Sequence, residues 1–196
     1  MRFSYSENSY KAHLEHKQGS IKCILDTGAT LTTMDINSLS NLLAEDARLV
    51  NKLAISHIVE KSFNQEITVA SGDKNVVVPV MIRNVNLAGG SLSKFYAMLN
   101  ISNESWTYEN ARNYMTLIGL DIVRAGSAIE GNKDRIELKD IDYRAYDKSY
   151  QDRYGDKILN IIEEIYEYKQ SDKKRLETEK LVADYINQQN NNRKNT

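Results

Sequence analysis

Along the first part of the chain, apolar residues fall in short runs divided by turn-forming residues. SYKAHLEH and IKCIL flank Lys17, Gln18, Gly19 and Ser20, a spacing that predicts a hairpin. The segment 30–34 is rich in threonine, whose β-branched side chain suits an extended backbone, so a third strand follows. From Asp35 the period changes. Ile36, Leu39, Leu43, Ala47, Val50 and Ala54 recur every three or four residues, which predicts one or two helices with Asp35 as N-cap. Strand character returns in EITVA (66–70), turns at Ser71, Gly72, Asp73 and Lys74, and continues through NVVVPVMIRNVNL. After Ala88, Gly89 and Gly90, LSKFYAMLNI is a further strand. The polar stretch SNESWTYENARN then gives way to the apolar YMTLIGLDIV (114–123) and a short strand, RIEL (135–138).

Beyond RIEL the period is helical again. Tyr143, Tyr146, Tyr150, Tyr154, Ile158, Ile161 or Ile162, and Ile165 form a stripe broken only by Gly155, an amphipathic pattern expected to pack on the chain's own domain or to pair subunits. Past Gln170 the pattern weakens to Leu176, Leu181, Val182, Tyr185 and Ile186, and the closing QQNNNRKNT is expected to be disordered. No internal repeat is present.

Composition narrows the function classes. A chain of 196 residues with 41% hydrophobic content suffices for one domain plus an appendage. Its 26 basic and 27 acidic residues nearly cancel, which argues against nucleic acid or an anionic membrane as partner. No apolar run approaches the roughly 20 residues that span a bilayer, and MRFSYSENSY lacks the apolar core of a signal peptide. A soluble, cytoplasmic protein is expected. The single cysteine, Cys23, lies among Ile21, Ile24 and Leu25 and reads as a core residue.

Chemistry concentrates in KCILDTGATLTTMD (22–35). Asp26 ends an apolar strand, where a carboxylate is costly to desolvate unless it has a partner or a task. Asp-Thr-Gly can be an ordinary turn in which the aspartate bonds backbone amides. Here it is followed by Ala29 and an extended segment, and much later by Leu117, Ile118, Gly119, Leu120 and Asp121, with a hairpin between them.

In this order (strand, DTGA, extended segment, hairpin, IGLD, final strand) the chain resembles the retropepsin-like aspartic proteases, the single-domain relatives of pepsin. The resemblance spans roughly residues 10–138 and implies a mainly β, retropepsin-like acid-protease fold over 1–140. A helical C-terminal extension (141–188) and a disordered tail (189–196) would follow. It implies that Asp26 is catalytic and that Thr27, Gly28, Ala29, Ile118 and Gly119 support the catalytic loop. It also implies that Ala70, Ser71, Gly72 and Asp73 form a flap over the substrate. The insert 35–54 is longer and more helical than in the viral enzymes, and the tail past Asp140 has no counterpart in them.

The chemistry agrees. Peptide hydrolysis by carboxyls alone needs one carboxylate to activate water and a second carboxyl to protonate the carbonyl oxygen, close enough to share a proton. One Asp-Thr-Gly supplies half, so with no repeat the other half is expected from an identical chain across a two-fold axis. The expectation is a homodimeric aspartic endopeptidase acting on an extended polypeptide, with no cofactor and no metal. A non-catalytic dimeric peptide-binding or scaffold protein with the same fold is the competing reading. Asp121 lacks a following Thr-Gly and reads as a first-turn or capping residue of a short helix. His13 and His16, three apart on a strand, point to opposite faces, and only His57 remains for a metal site. Trp106 and Tyr108 read equally as a partner contact or a lid over a small core.

Overall fold

The structure, a computed structural model, describes residues 1–63, 65–68, 74–101 and 116–194. The chain divides into two compact units, Met1–Ile161 and Ile162–Thr196. In the first, strands β1 (Arg2–Ser6), β2 (Ser9–His16), β3 (Gly19–Leu25) and β4 (Thr33–Asp35) precede helices α1 (Ile36–Leu43) and α2 (Ala47–Glu60). Then come β5 (Gln65–Thr68), β6 (Lys74–Leu87), β7 (Gly90–Asn100) and β8 (Thr116–Ile118), the short helix α3 (Leu120–Ala125), and β9 (Gly126–Asn132) with β10 (Arg135–Ile141). Helix α4 (Tyr143–Tyr154), a 3-10 turn at Gly155–Lys157 and β11 (Leu159–Asn160) lead into α5 (Ile161–Lys194).

The sheet closes on itself. In the order β6-β7-β4-β8-β3-β2, each strand pairs with the next, and β2 pairs back onto β6 with Leu14 opposite Leu87. Strands β1, β10 and β9 continue outward from β2, while β5 and β11 add to β6. Alternation explains β3, where Ile21, Cys23 and Leu25 turn into the core and Lys22 turns out. In β6 the alternation gives way to a buried run from Val77 to Ile82, because both faces of that strand are covered. Pro79 is tolerated there: β5 ends opposite Val77 and β11 begins opposite Val80, so the missing N–H interrupts neither ladder.

The fold is mixed β/α, where the resemblance implies mainly β. Helices α1 and α2 both begin in the insert 35–54, α2 running on to Glu60, while α4 and α5 follow β10 in the extension expected to be helical. Asp35 caps α1 as expected, its Oδ1 accepting from Ser38 N at 2.9 Å and its Oδ2 from Ser38 Oγ at 2.9 Å. Helix α4 belongs to the first unit, and Tyr146, Tyr150 and Tyr154 are buried there against β7 and α3. The Tyr150 ring stacks on Tyr96 of β7 with centroids 4.5 Å apart, and Tyr146 meets Tyr96 edge-on at 5.7 Å. The part of the stripe in α4 therefore packs on its own unit. In the second unit, α5 is polar along most of its length and carries close-spaced ion pairs, among them Arg175 with Asp172 and Glu179. Among the described residues no helix is long and apolar enough to cross a membrane.

Candidate active site

Asp26 is delivered by the last residue of β3. Its N–H donates to Ile118 O at 2.9 Å, extending the parallel β3–β8 ladder one step past Leu25, which lies opposite Ile118. The chain then turns tightly. Ala29 N donates to Asp26 O at 3.2 Å, and Gly28 N donates to Asp26 Oδ1 at 2.8 Å, so the carboxylate orders its own turn. At the far end Leu120 N donates to Ala29 O at 2.8 Å. The loop is thus fastened at both ends to Ile118, Gly119 and Leu120, which brings together Asp26, Ala29, Ile118 and Gly119 from the two distant motifs.

The apex of this loop faces outward. Thr27 and Gly28 are exposed and Asp26 is half-buried, so the strand does not carry its carboxylate into a sealed interior. Gly28 is outside the left-handed region of backbone space; its lack of a side chain matters for another reason. A Cβ there would come within 3.1 Å of Asp26 Oδ1, crowding the carboxylate. Gly119 is under tighter constraint. A Cβ would meet the backbone of Leu31 at 2.5 Å and Thr32 N at 2.8 Å, so only glycine lets the two segments pass.

Behind the loop lies a network that sequence patterning does not reveal. Thr32, fully buried, donates its N–H to both oxygens of Asp121 at 3.0 Å and its hydroxyl to Asp121 Oδ1 at 2.8 Å. The same hydroxyl accepts from Gly119 N at 3.1 Å. Tyr150 of α4 donates its hydroxyl to Asp121 Oδ2. Burial, and then the negative charge of Asp121, hold the Tyr150 phenol well above its ordinary pKa, so it stays a donor. Asp121 sits in the first turn of α3, as expected, but its carboxylate is spent on Thr32 and Tyr150, and Gly119 is the N-cap. It is engaged in holding the loop's base rather than facing a substrate.

Of the proposed flap, β5 and β6 form the antiparallel arms, with Thr68 opposite Lys74. Ala70, Ser71, Gly72 and Asp73 lie outside the described residues, as do Trp106 and Tyr108. His13 and His16 both lie on β2, three residues apart, and His57 Nε2 is 2.9 Å from Lys157 O. Among the described residues no group of three or more histidine, cysteine, aspartate or glutamate side chains is arranged to hold a metal ion. Cys23 is fully buried, and burial pushes its thiol up to about 12, which keeps it protonated and unreactive.

Comparison with known proteins adds a distant likeness of fold. No protein-family profile matches the chain, and no curated protein matches it. Among solved structures, the fold is similar to a retropepsin-like aspartic protease from Rickettsia conorii, with 12% sequence identity and a TM-score of 0.43. The alignment covers 70% of this chain and 88% of that one.

Proposed function

We propose that the chain is a retropepsin-like aspartic endopeptidase whose active site forms when two copies bring their Asp26 side chains together. The observation that carries this reading is the DTGA loop itself: tied at both ends to the Ile118-Gly119-Leu120 segment, with an outward apex and a half-buried Asp26. A loop so fastened can meet a second copy of itself across a two-fold axis without rearranging. One Asp26 carboxylate would take a proton from water as it attacks the scissile carbonyl carbon. The other, protonated, would give its proton to the carbonyl oxygen. The β5–β6 arms would lie over an extended polypeptide, which would add backbone hydrogen bonds in the manner of a strand.

The test is to incubate the protein with an unstructured polypeptide and follow cleavage, then repeat with Asp26→Asn. The amide is nearly isosteric but cannot act as the base, so cleavage should vanish while fold and dimer remain. Cleavage by the variant near the wild-type rate would remove Asp26 from the mechanism. Saturable binding of the polypeptide with no cleavage by the wild type would favour the non-catalytic binding protein.

A further inference from the structure

We infer that α4 is a strut for the Asp26 loop, with Tyr150 as a positioning residue that acts on the loop through Asp121. The chain of contacts is continuous. Tyr150 donates to Asp121, Asp121 accepts from the N–H and hydroxyl of Thr32, and the Thr32 hydroxyl accepts from Gly119 N. The neighbours of Gly119 then hold the loop, Ile118 O accepting from Asp26 N and Leu120 N donating to Ala29 O. Along this relay each donor from Tyr150 to Gly119 has its acceptor. The Thr32 hydroxyl gives one hydrogen bond and takes one, which fixes its rotamer, and Asp121 has a donor on each oxygen.

The position of Tyr150 is itself over-determined. Its ring is stacked on Tyr96 and packed edge-on against Tyr146, whose hydroxyl accepts from Tyr96 N at 3.0 Å. Tyr96 in turn donates its hydroxyl to Asp147 and accepts from Gln151 Nε2 at 3.0 Å. Helix α4 is therefore bolted to β7 by residues on either side of Tyr150, and Tyr150 carries that rigidity to Asp121. Tyr154, one turn on, is a control: it too is buried, 6% exposed against 2% for Tyr150, but its hydroxyl has no hydrogen-bond partner and so ties α4 to nothing. The loop that carries Asp26 is thus braced from a helix about thirty residues beyond Asp121 in sequence, by a hydrogen bond to a charged group, the stronger kind.

The test compares Tyr150→Phe with Tyr154→Phe in the full chain by residue-resolved amide hydrogen exchange and by peptide-cleavage kinetics. Both variants keep the ring, and only the first removes a hydrogen bond to a carboxylate. In Tyr150→Phe the amides of Thr32, Gly119 and Leu120 should exchange about tenfold faster, while Val80 and Ile82 in β6 stay within about twofold. Tyr154→Phe should leave all of these within about twofold. With proteolysis as proposed, kcat should fall about tenfold in Tyr150→Phe with KM within about twofold, since a loosened loop misplaces the reacting carboxyl more than it weakens substrate binding. Equal exchange at Thr32 and Gly119 in the two variants would overturn the strut, and so would a rise spread evenly into β6. If the wild-type chain cuts no polypeptide, the exchange comparison still decides the strut, and the proposed proteolysis alone falls.

Discussion

At the scale of single residues, two glycines near Asp26 do different work and should fail differently. Gly119→Ala would drive a methyl group into the Leu31 backbone at 2.5 Å, an overpacking that costs roughly 1–3 kcal/mol because backbone cannot swing aside. Urea denaturation should show that loss as a lower midpoint. Gly28→Ala instead meets only the Asp26 side chain, at 3.1 Å, so stability should hold within about 0.5 kcal/mol while cleavage falls with the displaced carboxylate. Cys23 offers a third check. Its thiol is fully buried and pushed up to about 12, so a thiol reagent at pH 8 should leave it unmodified in the native protein and label it on unfolding. Cys23 was legible in the sequence because its neighbours Ile21 and Leu25 share its alternation. The partnership of Asp121 with Thr32 and Tyr150 was not, because hydrogen bonds across 89 and 29 residues leave no periodic trace.

At the scale of elements, the reading succeeded where one face of the chain is apolar and the turn chemistry is local. The β2–β3 hairpin, the Asp35-capped α1 and the long β6–β7 pair all announce themselves in this way. Strand β1 does not, since Phe3 alone of RFSYS is buried, and β9 begins with glycine and carries a second glycine inside it. The Tyr96–α4 contact also makes a pH prediction. Burial alone would raise the Asp147 carboxyl, but the Tyr96 hydroxyl and Lys94, whose Nζ is 2.9 Å away, outweigh it and hold it below its ordinary value. A carboxyl depressed in the folded state stabilises it above the unfolded value, about pH 4, and that contribution is lost as the pH falls further. The wild-type unfolding midpoint should therefore drop more steeply below about pH 4 than that of Asp147→Asn, as followed by circular dichroism across pH 2.5–6. The group is partly exposed and partly screened, so the wild-type advantage over Asp147→Asn, fullest above about pH 4, should be modest even there.

At the scale of the whole molecule, helix α4 and β11 belong to the same unit as the sheet, and α4 packs on β7. Cutting the chain after Asp140 would strip Tyr146, Tyr150, Tyr154 and β11 from the first unit and expose Tyr96, which is fully buried. Such a truncation should lower the thermal midpoint sharply or prevent folding, rather than leave a trimmed, active core. Calorimetry of the truncated chain decides it. With one Asp-Thr-Gly per chain, the proposed mechanism requires two chains at each site. Because each site would need Asp26 from two copies, specific activity should fall on dilution below the dimer dissociation constant. The most direct measurement mixes a fixed amount of wild type with rising amounts of Asp26→Asn under conditions where subunits exchange. Mixed pairs hold one carboxylate and one amide, so activity should decline in proportion to the wild-type chains drawn into them. Activity that stays constant as the variant is added in large excess, with exchange demonstrated, would show that one chain suffices and contradict the shared site.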